Sequence, residues 1–131
     1  MVDIEAYIKE LVQDTEVSAF NIKEVQLKLP AIKHKWAGRQ IRAKQELFKL
    51  QKKRDKVKKE LIKGIIDKAP VNISIAMANQ SAETSDTILK MDEEIEDLKL
   101  AIELIEKAEK TLSSMTYDIS NIVKLMQLEQ T

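Results

Sequence analysis

The sequence contains no cysteine, so it can form neither a disulfide framework nor a thiolate zinc site. Glycine and proline occur only twice each in 131 residues, too few for a chain of many short strands and tight turns. The single histidine, His34, has no second imidazole or thiol for a metal and reads as a surface side chain. No apolar run approaches the ~18 residues of a membrane span. The opening MVDIEAYIKE has early acids where a secretory leader needs a basic start. A Gly-rich phosphate loop, a nucleophile elbow, a catalytic triad and an HExxH zinc site are all missing. Acid–base or nucleophilic catalysis would therefore rest on lysines and carboxylates alone. These absences predict a non-enzymatic protein with no cofactor, no metal and no membrane association, placed in the cytoplasm.

What remains is helical and charged. Hydrophobic residues make up 44% and charged residues 34%, enough apolar material for one modest core. Formal net charge is zero, but the zero conceals three blocks. Residues 1–22 carry one Lys and five acids, residues 23–68 sixteen Lys/Arg and five acids, and residues 69–131 five Lys and twelve acids. A basic block between two acidic ones is the most informative global feature.

Apolar periodicity divides the chain further. Ile4, Ile8, Leu11 and Val12 predict a short amphipathic helix over 3–13, followed by a connector over 14–29. Pro30 suits a first helical turn, so a second helix is expected from about 30 to 66, near the interruptions Gly64 and Pro70. Its seam has two rows, Trp36, Ala43, Leu50, Val57, Gly64 and Gln40, Leu47, Arg54, Leu61, with Gln40 and Arg54 as polar register markers. A weaker ridge, Ile41, Phe48 and Ile62, lies on another side. Residues 69–85 read as an irregular linker in which Val71, Ile73 and Ile75 alternate, as in a short strand or extended loop. Ser85 is a suitable N-cap for a last helix. There, Ile88, Met91, Ile95, Leu98, Ile102 and Ile105 repeat at 3-4 spacing. After a three-residue shift Ala108, Leu112, Met115, Ile119, Ile122 and Met126 continue it. The poor helix formers TLSSMT at 111–116 are a candidate kink or break.

The expected fold is all-α: long helices in a coiled-coil-like hairpin that assembles into a homo-oligomer. Its parts are residues 1–68 with the basic helix, a linker at 69–85 and an acidic oligomerisation helix at 86–131. Oligomerisation is expected because an unbroken helix over 86–128 would run ~64 Å, against a radius of gyration of ~14 Å for a compact domain of this size. The residues assigned to that interface are Ile95, Leu98, Ile102, Ile105, Leu112, Met115, Ile119 and Ile122.

Lys28, Lys35, Arg42, Lys49, Lys56 and Lys63 recur every seven residues on a face away from the seam, widened by Lys52, Lys53 and Lys59. A phosphate backbone is held by many cations on one face, because each neutralised phosphate releases counterions. Two plainer uses of the stripe are a solvated helix face and ion pairing with the acidic last helix. Trp36, at the head of the stripe, is a core residue of the seam or a platform for an unpaired base. The acidic cluster Asp92, Glu93, Glu94, Glu96 and Asp97 reads as a solvated face or a docking site for a basic partner rather than a metal site.

Three stretches resemble a known family. The run LKLPAIKHKW at 27–36, with Asp14 and Asn21 ahead of it, the basic run QKKRDKVKKELIKG ending at Gly64, and Tyr117-Asp118-Ile119-Ser120-Asn121-Ile122 are similar to the signature segments of UvsY-type recombination mediators of T-even-like phages. Leu61 and Ile62 stand where that family often has tyrosines, and Met115-Thr116 where it has a basic-Gly pair. The resemblance implies a ring-like homo-oligomer that binds single-stranded DNA. It further implies that the protein helps a phage-type recombinase displace the single-strand DNA-binding protein and nucleate the presynaptic filament, in the host cell cytoplasm. It maps phosphate contacts onto Lys52, Lys53, Lys56, Lys58 and Lys59. The rival reading is a prefoldin-like coiled-coil chaperone or scaffold, in which the charges serve only solubility.

Overall fold

Capping and apolar spacing set the element boundaries. In the computed structural model, which describes residues 3–130, these residues form four helices and no strand. They are α1 (Ile4–Asp14), α2 (Ile22–Lys68), α3 (Ile75–Glu83) and α4 (Asp86–Glu129). The Asp3 carboxylate caps α1 by accepting the Ala6 N–H at 3.1 Å. Thr15 closes it, its N–H and hydroxyl both donating to the Leu11 carbonyl, at 3.0 and 2.8 Å. Asn21 then organises the turn. Its side-chain oxygen accepts the Ser18 N–H at 2.7 Å and its amide donates to the Glu16 carbonyl at 3.2 Å.

The second helix begins at Ile22 rather than near Pro30, so much of the expected connector is helical and Pro30 lies inside α2. A proline there removes one backbone donor and costs ~3 kcal/mol in a helix interior. Ile22 and Leu29 are buried on either side of half-buried Val25, and this packing offsets the loss. Gly64 does not end the helix either, which continues to Lys68.

The stretch 69–85 is not a strand or a plain loop. Ser74 accepts the Met77 N–H at 3.1 Å and caps α3, whose inner face is Ala78 and Ala82. Val71 and Ile75 of the alternating trio are exposed, so the alternation marks no sheet face. Ser85 accepts the Ile88 N–H at 3.4 Å at the head of α4, in the expected capping role. The TLSSMT segment does not break α4, which is one helix from Asp86 to Glu129. Thr111 and Ser114 donate back to the carbonyls of Lys107 and Lys110, while Leu112 and Met115 are buried.

The chain forms two units, one of residues up to Arg42 with those from Ala101 onward, the other of Ala43–Leu100. In the first, α1 and the start of α2 meet the end of α4 around Leu29, Trp36, Ile105, Leu112 and Ile119. There Gln40 donates to Glu106 at 3.4 Å and Lys33 to Thr116 at 3.3 Å, so the two helices run antiparallel. In the second, the rest of α2 and the start of α4 enclose Ala43, Ile88, Met91, Ile95 and Leu98, with α3 contributing its alanines.

This packing corrects the oligomerisation residues. Ile95, Leu98, Ile102, Ile105, Leu112, Met115 and Ile119 are buried within the chain itself, and Ile122 is half-buried. Because α2 starts at Ile22, its part up to Arg42 in the first unit and its remainder in the second supply an intrachain partner for that row. The row is the intrachain core rather than a free seam.

Candidate nucleic-acid interface

The seam of α2 fixes which cations face outward. None of its seam residues, from Trp36 to Gly64, is exposed. In the second unit, Lys49, Lys52, Lys56, Lys59 and Lys63 follow a 3-4-3-4 spacing, which on a helix draws one line along the opposite face. All five are exposed, and so is Lys53 beside them. Among the described residues none of these six has an ion-pair partner. The acids Glu46, Asp55 and Glu60 lie off the line. Arg42, in the first unit, is exposed and lays its guanidinium over Gly38, 3.4 Å from where a Cβ would stand.

Two expected contact residues are engaged elsewhere. Lys58 is half-buried and donates to Glu83 at the end of α3 at 2.8 Å, a bond that holds the Glu83 carboxyl below the ordinary value. Lys35 is half-buried against α1, at 2.6 Å from Asp14 and 3.1 Å from Glu10. In both cases the ammonium is taken by a carboxylate that the chain folds against it. The seam residue Arg54 is also paired, donating from Nε and Nη2 to Asp92 of α4. Its guanidinium pulls the Asp92 carboxyl down. Thus the acidic helix does pair with α2, but at the seam edge, and it leaves the outer lysine line free. Glu96 of the acidic cluster pairs with Lys99 on its own helix, and Glu93, Glu94 and Asp97 are exposed.

Trp36 belongs to the core. Its ring is fully buried, Nε1 donates to Asp14 Oδ2 at 2.9 Å, and Tyr7 meets it edge-on with centroids 5.5 Å apart. Arg39 spans the two rings, 4.6 Å from Tyr7 and 4.8 Å from Trp36, and forks onto Glu10 at 2.6 and 3.0 Å. That fork holds the Glu10 carboxyl below the ordinary glutamate value against the upward push of burial, with Lys35 assisting. Burial alone would lower the Lys35 ammonium, but the bonds from Asp14 and Glu10 outweigh it and raise it.

The aromatic on the basic face is Phe48, which the spacing had placed on a secondary packing ridge. It is 58% exposed and lies under the Lys52 ammonium at 4.6 Å. Its signal in the sequence was its offset from the seam rows: an aromatic flanked by Lys49 and Lys52 on the outward side. Exposed cations interleaved with an aromatic face can neutralise a phosphate backbone and stack a base, without reading its sequence.

No family model and no curated protein sequence matches the chain. Solved structures do. The chain is similar to the recombination mediator protein UvsY of bacteriophage T4 in one crystal form with a TM-score of 0.83 at 15% identity, over 98% of this chain and 99% of that one. In a second crystal form the TM-score is 0.82 at 13% identity, over the whole of both chains. The chain therefore has the helical fold of the T4 recombination mediator along its whole described length.

Proposed function

We propose that this protein is a single-stranded DNA-binding recombination mediator, which self-assembles and helps load a phage-type recombinase onto strands covered by single-strand DNA-binding protein. It works by binding and needs no catalytic group or cofactor. The observation that carries the DNA reading is the line Lys49, Lys52, Lys56, Lys59 and Lys63: exposed, evenly spaced and without an ion-pair partner among the described residues. Ammonium groups that the fold leaves without an ion pair are available to a polyanion. Phe48 beside it favours unpaired over paired strands, because only an unpaired base can leave its stack for an aromatic ring. Recombination as the setting rests on the likeness in fold to T4 UvsY, a recombination mediator, and the recombinase and single-strand-binding partners rest on the family resemblance of the signature segments. A ring-like self-assembly rests on the family resemblance of the signature segments.

The test is binding of a labelled, unstructured oligonucleotide at graded salt. Five neutralised phosphates give a log–log slope of roughly −3.5 for a single strand, so affinity falls about a hundredfold between ~50 and ~200 mM salt. Replacing Lys56 and Lys59 by alanine removes two of these contacts and flattens the slope by about 1.4 per engaged subunit. Lys90→Ala, on α4, is the control and leaves the slope unchanged. A chain that binds no single strand at low salt, or a double variant with the wild-type slope, refutes the assignment. A prefoldin-like scaffold gives the first of these outcomes.

A further inference from the structure

We infer that α1 covers a second strand-binding site, formed by Lys35, Arg39 and Trp36, and that a single strand opens it by displacing the carboxylates of Glu10 and Asp14. This rests on the single-strand reading above but concerns different residues, all in the first unit.

The contents of the covered place carry the argument. Arg39 presents both Nη atoms to the two oxygens of Glu10, at 2.6 and 3.0 Å. That paired-donor geometry fits a phosphate as well as a carboxylate. Lys35 reaches Asp14 and Glu10 at 2.6 and 3.1 Å. Beneath them Trp36 offers an indole against which the chain sets Tyr7. Thus α1 brings two anions and one aromatic ring to two cations and an indole. A single strand brings the same set, phosphates and bases, to a protein surface. The N-terminal helix occupies the place in the manner of the ligand it excludes.

The attachment is of a kind that can be exchanged. No residue of α1 is fully buried. Two of its apolar residues, Ile8 and Val12, are 39% and 56% exposed, so the helix is not anchored through a deep apolar face. The Lys35–Glu10 pair sits at the rim, each side chain 32% exposed, where salt and competing anions reach it, while Arg39 and Asp14 lie deeper at 20% and 15%. The turn over 15–21 keeps α1 tethered when it lifts.

Trp36 is the only tryptophan, so its emission reports directly on the cover. The experiment titrates the full chain with a thymidine oligonucleotide, following Trp36 emission and, separately, the anisotropy of a labelled strand. In the wild type, emission is expected to shift or be quenched at saturation, as Trp36 exchanges Tyr7 and Asp14 for water or a base. Glu10→Gln with Asp14→Asn keeps the shapes and removes the competing charges. It is expected to bind at least about threefold tighter near ~100 mM salt. Lys35→Gln with Arg39→Gln is expected to flatten the salt slope by about 1.4. Circular dichroism verifies that each variant stays helical. If the strand binds the wild type while Trp36 emission stays constant and the carboxylate variant gains nothing, α1 is a structural clamp and the inference falls alone. If the wild type binds no strand at all, the function proposed above falls with it.

Discussion

At the scale of single residues, an environment can be legible in part. Trp36 on the seam row reads correctly as core, because an apolar ring at a seam position is most often buried. Its partners do not read at all: Asp14 and Tyr7 come from another helix, and no local spacing links them to position 36. The pairing of Lys35 and Lys58 does not read for the same reason, since the carboxylate that each ammonium meets lies more than twenty residues away. Phe48 is the converse case, an outward aromatic whose neighbours Lys49 and Lys52 are visible in the sequence but whose exposure is not. Stacking on an aromatic ring contributes about 1–3 kcal/mol per base. Phe48→Ala is therefore expected to weaken single-strand binding roughly 5- to 150-fold while moving the salt slope much less than the Lys56 and Lys59 pair, because no phosphate contact is lost. Phe48→Tyr should retain most of the affinity. Equilibrium titration of the three proteins at two salt concentrations decides it. Equal binding by Phe48→Ala and wild type would remove this ring from the interface.

At the scale of elements, large apolar side chains at helical spacing were the readable signal and alanines were not. The rows of α2 and α4 stand out because Leu, Ile and Met recur every three or four residues, and they are the residues the fold covers. The face of α3 consists of Ala78 and Ala82, which give almost no contrast against their neighbours, so its helix passed for a loop. Glycine and proline overstated the breaks: both Pro30 and Gly64 sit inside α2, where packing along the helix outweighs local propensity. Gly64 offers a direct measure, because a Cβ built there meets nothing within 4 Å. Gly64→Ala is expected to stabilise the protein by about 0.5–1 kcal/mol and raise Tm by about 2–5 °C. An unchanged or lower Tm would mean that the glycine serves a contact outside this chain. The attachment of α1 is expected to fail first in acid. Glu10, faced by Arg39 and Lys35 of α2 and beside Asp14 of its own helix, titrates below its ordinary 4.5 when folded. Its contribution is thus fully present above that value and is lost as pH falls through the lower, folded-state value. Trp36 emission should therefore change on acidification before the helical circular dichroism of the whole chain does. Coincident transitions would show that α1 and the core unfold together.

At the scale of the whole molecule, the charge blocks and the α4 row are both visible in the sequence, but the partner that covers the row within the chain is not. Its burial follows from a balance of lengths: a partner helix that starts at Ile22 rather than Pro30 gives the chain two helices of 47 and 44 residues. Self-assembly, as proposed, then has to use side chains that the single chain leaves exposed, such as Leu100, and not the core row. A charge placed in that row tests the distinction. Ile105 is fully buried, and an unpaired carboxylate there gives up its hydration and leaves a misfit in the packing. The combined loss is several kcal/mol, a large part of the ~5–15 kcal/mol that holds a domain of this size together. Ile105→Glu is therefore expected to lose helical circular dichroism and cooperative melting at every protein concentration, since the failure lies inside one chain. Leu100→Glu, at an exposed position of the same helix, should keep both. If Ile105→Glu instead keeps full helicity and merely falls in mass by light scattering, the row faces another copy, and the intrachain core described here is the wrong partner for α4.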